Sequence, residues 1–276
     1  MAPPDLHPLS LMAGGTVSAS VPWTQMPYRD APHYDAAKVI RQWDRLHVGQ
    51  GMPPPAPGPL ADGWAHYHSG EFERAANLGL RLGREGLVLA NQATAIYATY
   101  LEPREATRQA LFKQVAERAG AQIDEEPDDC QALFWQAYAL GRYSQGISVA
   151  RALAQGLGSK LKGALEHVIE LQPQHAAAHV ALAAFHAEVI DKVGALVGRM
   201  TYGVRAETAI ELFERGLSLH PRSASALMEY ARGLLMLEGE ARTADATRLY
   251  ERAASIDPVD ARERLDVELA RAGLSD

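Results

Sequence analysis

Residues 209–221, AIELFERGLSLHP, carry the pattern that decides the fold, because it recurs at 161–173, LKGALEHVIELQP, and at 246–258, ATRLYERAASIDP. Counted back from each closing proline, small or apolar residues coincide: Leu161, Ala209 and Ala246; Leu165, Phe213 and Tyr250; Val168, Gly216 and Ala253; Leu171, Leu219 and Ile256. Such spacing puts them on one face of a helix. A proline just past the last turn ends that helix, since it donates no backbone hydrogen bond and pushes the residue before it out of helical geometry. Pro127 closes another such segment. The chain therefore reads as helical hairpins stacked in tandem, an all-α solenoid, and such scaffolds usually bind rather than catalyse.

Composition narrows the partners. Hydrophobic residues make up 47% of the 276, enough to bury a core, and a solenoid grows by adding units, so length here counts repeats. A formal charge of -7 offers no basic footprint for phosphate, so nucleic acid is not an expected partner. The one cysteine, Cys130, allows neither an internal disulfide nor a thiolate metal cluster and fits a reducing compartment. The opening MAPPDLHPLSLMAGG lacks the basic start and apolar run of a secretory signal, and nowhere do about 18 apolar residues run uninterrupted. The expectation is a soluble, cytoplasmic protein with no membrane partner.

Residues 1–59 hold eleven of the sixteen prolines and read as an extended tail or linker. One amphipathic helix interrupts it: in PHYDAAKVIRQWDRLH, Ala36, Val39, Ile40, Trp43 and Leu46 share a face, with Asp30 and Pro32 as start signals. A helix of about 14 residues is marginal alone and is expected to cap the first repeat. Residues 60–258 form the repeat domain. Residues 259–276, with Leu265, Val267, Leu269 and Leu274 among charges and Asp260 as cap, form a C-terminal capping helix.

In GWAHYHSGEFERAANLGLRL, Gly63, Gly70, Phe72 and Ala75 stand at the spacings at which the chain resembles the tetratricopeptide repeat (TPR) family. The resemblance implies about five TPR-like hairpins, with a small residue of helix A meeting an alanine of helix B. It places Ala75, Ala209 and Ala246 at that crossing and Pro173, Pro221 and Pro258 at the end of their units. The proline gaps of 46, 48 and 37 residues exceed the family period of about 34. Two insertions, 143–160 and 189–203, account for most of the excess and fall between helices A and B. In the second, Val189, Val193, Leu196 and Met200 form a stripe that predicts a prolonged helix A; Ile147, Ala150, Leu153, Ala154 and Leu157 do the same in the first. These extensions are expected to pack together as a satellite core, or to form a pocket wall or a subunit contact that would make a homo-oligomer. They also resemble, loosely, those of the repeat proteins called regulators of microtubule dynamics.

Several motifs fail on mechanics. GLGSK at 156–160 lacks the spacing and strand context of a phosphate loop, and Gly194 and Gly198 sit beside Lys192 and Arg199, unlike a membrane dimerisation face. His175, His179 and His186 could hold zinc by spacing, but the repeat frame puts His179 and His186 at packing positions. His66 and His68, two apart, read as surface or packing groups. Cys130 follows DEEPDD, whose carboxylates oppose a thiolate. No cofactor, metal or catalytic constellation is expected, and the chain reads as no enzyme.

The resemblance implies a concave groove lined by Trp64, Tyr67, His68, Asn91, Gln136, Leu140, Tyr143, Ala184, Glu188, Met228, Arg232 and Met236. Its aromatic and methionine content suits an apolar peptide or partner protein. The alternative is a small-molecule-binding or transport-accessory protein whose insertions enclose an apolar cavity, lined by Leu153, Leu157, Val193, Leu196 and Met200.

Overall fold

The computed structural model describes residues 22–275, which are helical with no strand among them. Two short helices, α1 (Ala36–Arg41) and α2 (Trp43–Leu46), lead into five antiparallel hairpins. The first pairs α3 (Pro59–His68) with α4 (Phe72–Arg81), the second α5 (Leu87–Tyr100) with α6 (Glu105–Glu125). In the third, the short α8 (Val149–Ala154) interrupts the passage from α7 (Cys130–Gln145) to α9 (Leu157–Leu171). In the fourth, α11 (Ala195–Tyr202) stands between α10 (Ala176–Val193) and α12 (Ala206–Leu219). The fifth pairs α13 (Ala224–Glu238) with α14 (Thr243–Ala254), and α15 (Ala261–Ala272) follows. This is the expected solenoid of five hairpins.

Each closing proline acts through the residues after it. Asp129, His175, Ser223 and Asp260 stand two residues beyond Pro127, Pro173, Pro221 and Pro258. Their side chains accept from the first-turn N–H groups of Ala132, Ala178, Ala226 and Glu263, capping α7, α10, α13 and α15. Each cap is worth about 1 kcal/mol. The next residue, Cys130, Ala176, Ala224 or Ala261, is small and buried, so every one of these helices starts in packed surroundings. Ala75, Ala209 and Ala246 are buried as the crossing requires. A Cβ on Gly63 would lie 2.4 Å from Leu89 Cδ2, so α3 approaches α5 more closely than a side chain permits.

Residues 22–58 do not trail away as a linker. Trp23 stacks on Tyr97 with centroids 4.0 Å apart, and Thr24 N–H donates to Tyr97 Oη at 3.1 Å. The buried Trp43 donates its indole N–H to Met52 O at 2.8 Å. Aromatic residues give this proline-rich segment apolar surface to bury, which composition by proline count conceals. The single helix expected here is two: α1 is capped by Asp35, and Gln42 leaves helical geometry between α1 and α2.

The solenoid closes on itself through α15. Ala261 and Leu265 join the core of the early hairpins, whereas Val267 and Ala270 join the cluster of α13 and α14. Tyr34 Oη donates to Val259 O at 2.5 Å, a contact across 225 residues. The second insertion also departs from the prolonged helix A, because Gly194 (φ 84°, ψ 154°) ends α10 and turns α11 aside. Val189 and Val193 stay half-buried, while Leu196 and Met200 end 73% and 80% exposed.

Candidate functional site

Around the first hairpin the inner face is filled by residues 43–50 and by Asp260. His68 Nδ1–H donates to Asp260 Oδ2 at 2.7 Å, its Nε2 lies 3.2 Å from His47 Nε2, and His47 Nδ1 meets Gln50 Oε1 at 2.9 Å. Trp64 is wedged edge-on against Trp43 and His47. Trp64, Tyr67 and His68 are therefore enclosed, not groove-lining as the resemblance implied. Asn91 is fully buried too: its Nδ2 donates to Gln122 Oε1 at 2.9 Å, and Arg118 Nε donates to its Oδ1 at 2.6 Å, so it faces α6 within its own hairpin.

Farther along, the inner faces of α7, α10 and α13 surround a cavity of about 320 Å³. Leu153 and Leu157 of the first insertion and Phe185, Val189 and Val193 of α10 line its apolar part. Tyr138 and Arg142 of α7, Ser225 and Glu229 of α13 and Arg262 of α15 line its polar part. A second cavity of about 170 Å³ shares Tyr100, Arg142, Ser225 and Glu229 with it and adds Met228 and Arg232. Glu229 Oε1 accepts from Arg142 Nη2 at 2.9 Å and lies 3.6 Å from Arg232 Nη1. Tyr100 Oη donates to Asp266, which stands 3.8 Å from Arg262 Nε. Burial raises the Asp266 carboxyl above its usual range, with Arg262 opposing. His220, also in the wall, is held neutral by burial and then by Arg262, its pKa lowered to about 4.

Of the groove residues named from sequence, Ala184 and Glu188 line the larger cavity and Met228 and Arg232 the smaller. Gln136, Leu140 and Tyr143 do not line either. Gln136 Nε2 reaches the Ala116 carbonyl of α6, and Leu140 and Tyr143 pack on the core. The cause is register: Asp129 starts α7 at Cys130, and one residue turns a helix by about 100°. The cavity face of α7 carries Phe134, Tyr138, Gly141 and Arg142, the positions that the same count from Pro127 supplies. Met236 is half-buried on α13, outside both cavities. Arg262 and Asp266 carry no repeat signal, because they come from the capping helix.

The remaining candidates hold structural posts. His175 caps α10, His179 Nε2 meets Pro173 O at 3.1 Å, and His186 Nδ1 lies 3.3 Å from the backbone of Arg205. Burial lowers all three, His175 to about 4. Burial, then Asp129 and Asp128, raises the Cys130 thiol. His66 pairs with Glu71 near the surface.

No family model and no curated protein matches this chain. Its fold is similar to that of a crystal structure of a thermophilic TPR protein from Thermus thermophilus, at a TM-score of 0.55 and 17% identity, over 78% of this chain and 97% of that one. The fold is thus that of a TPR solenoid. No helix among the described residues is long and apolar enough to cross a membrane.

Proposed function

We propose that this chain is a non-catalytic binding protein that encloses a small, largely apolar ligand in the cavity between α7, α10 and α13. The observation that carries the reading is the cavity itself. At about 320 Å³ it falls within the size of small-molecule sites, and residues of both insertions wall it. The open peptide groove implied by the resemblance has less support, since the protein's own residues occupy the inner face at Trp64 and His68. Binding suits the wall better than chemistry does, because its carboxylates, Glu188 and Glu229, are held by Lys192, Arg142 and Arg232.

N-phenyl-1-naphthylamine, which fluoresces in apolar surroundings, tests this. The full chain is expected to bind one equivalent. Ala184→Trp, which fills the cavity from α10, is expected to abolish the signal while leaving helical circular dichroism intact. Undiminished fluorescence in that variant would place the site elsewhere.

A protein partner is a second reading, favoured by the exposed Leu196, Val197 and Met200 of α11. A second copy of the chain could cover that face. Light scattering of the Leu196→Asp, Met200→Asp variant would then show a lower mass than the parent, and equal masses would remove a homo-oligomer built there.

A further inference from the structure

We infer that the cavity takes a single-chain amphiphile with an anionic head group, its chain against Leu153, Leu157, Val189 and Val193 and its head against Arg142 and Arg262. This rests on the cavity reading above and adds the chemistry of the occupant.

At the polar end Arg262 is left without a close carboxylate acceptor. Three guanidiniums, Arg142, Arg232 and Arg262, stand among the carboxylates Glu229, Asp266 and Asp260, of which Asp260 is engaged by His68 and the Glu263 N–H. Glu229 serves Arg142 and Arg232 through one oxygen. Asp266 accepts from Tyr100 and lies 3.8 Å from Arg262, beyond hydrogen-bond reach. Arg262 therefore makes one hydrogen bond, from Nη2 to Ser225 Oγ at 3.3 Å, and its buried Nε has no partner. A guanidinium cannot shed its proton, and donors withdrawn from water without acceptors are costly. Its side chain keeps 31% of its surface, and the residue lines the cavity. A carboxylate or phosphate fits that planar fork and would supply the missing acceptors.

The other ionisable groups of the wall offer Arg262 no acceptor. Lys192 and Glu188 pair with each other at 3.3 Å, and His220 is neutral. A bare inorganic anion would leave the aliphatic walls uncovered. A neutral apolar molecule would leave Arg262 as it stands.

The test titrates the full chain with decanoate, decyl phosphate and decanol, each displacing N-phenyl-1-naphthylamine. At least one anion is expected to bind tenfold or more tightly than decanol, and the better of the two identifies the head group. Arg142→Gln and Arg262→Gln are expected to reduce that preference to less than threefold. Equal affinity for all three compounds overturns the head-group assignment and leaves the cavity reading standing. A bound probe that none of the three displaces also overturns it, whereas failure of the probe itself to bind removes the cavity reading with it. Should either variant lose its helical signal, the comparison on the parent chain alone decides.

Discussion

Asp260 serves two partners with one carboxylate: Oδ1 accepts the Glu263 N–H that caps α15, and Oδ2 accepts from His68. Burial would raise its pKa, but the hydrogen bonds from His68 and the Glu263 N–H, together with the Arg262 charge, outweigh burial and hold it below the usual carboxylate range. Its contribution is therefore complete above the unfolded carboxylate pKa of about 4 and is lost only as pH falls through the folded value. Asp260→Ala removes the cap and strands a buried imidazole, and is expected to cost about 3–5 kcal/mol in urea denaturation. A loss below about 1 kcal/mol would mean that the pair adds no net stability. Glycines give a paired test of packing. A Cβ on Gly86 would lie 2.2 Å from the Gly79 carbonyl oxygen, whereas one on Gly163, exposed in α9, meets nothing within 4 Å. Gly86→Ala should lower stability by about 1–3 kcal/mol, and Gly163→Ala should raise it by about 0.5–1 kcal/mol. Melts that rank the two the other way would refute this account of the close approach.

Among the elements, α15 differs most from what a terminal cap usually does. A cap on an open solenoid covers only the unit before it. Here one face of α15 covers α13 and α14 and the other covers the first hairpin. Deleting residues 259–276 should therefore strip hydrogen-exchange protection from α3, which lies roughly two hundred residues upstream in the chain. Fraying confined to α13 and α14 would contradict the closure. The repeat itself was legible from local chemistry, since prolines, caps and small crossing residues act within a few positions of one another. The face of α7 follows from the start that Asp129 sets, and the groove reading of Gln136, Leu140 and Tyr143 counted two residues past it. Two other things were not legible. Gln42 and Gly194 break helices that the apolar stripes alone would continue, because a stripe reports a face and not the backbone geometry that interrupts it. The contact of His68 with Asp260 joins residues 192 apart, and no spacing rule reaches that far.

For the molecule as a whole, buried histidines set the acid response. His47 and His175 have pKa values lowered by burial to about 3 and about 4, so they stay neutral in the fold while the unfolded chain takes up protons near pH 6.5. Stability falls on their account as pH drops below that point. Glu263 works the other way: burial raises it to about 7, so the fold holds a proton there that the unfolded chain releases above about pH 4.3. With His220, lowered to about 4 by burial and Arg262, three imidazoles oppose one carboxyl, and the net expectation is a loss of about 2 kcal/mol per pH unit from about pH 6 down to about 4.5. Urea midpoints at those two pH values check it, and a midpoint that rises on acidification would refute it.

Closure through the final helix also dictates an order of events at the ribosome. Trp64 and His68 emerge long before Asp260 and Leu265, so the first hairpin must wait with its greasy inner side uncovered until α15 is made. Arg262 arrives in the same stretch, which means that a chain shortened before α15 lacks part of the cavity wall. Quality control that senses exposed apolar surface would thus distinguish closed molecules from unclosed ones by the same helix that completes the cavity wall.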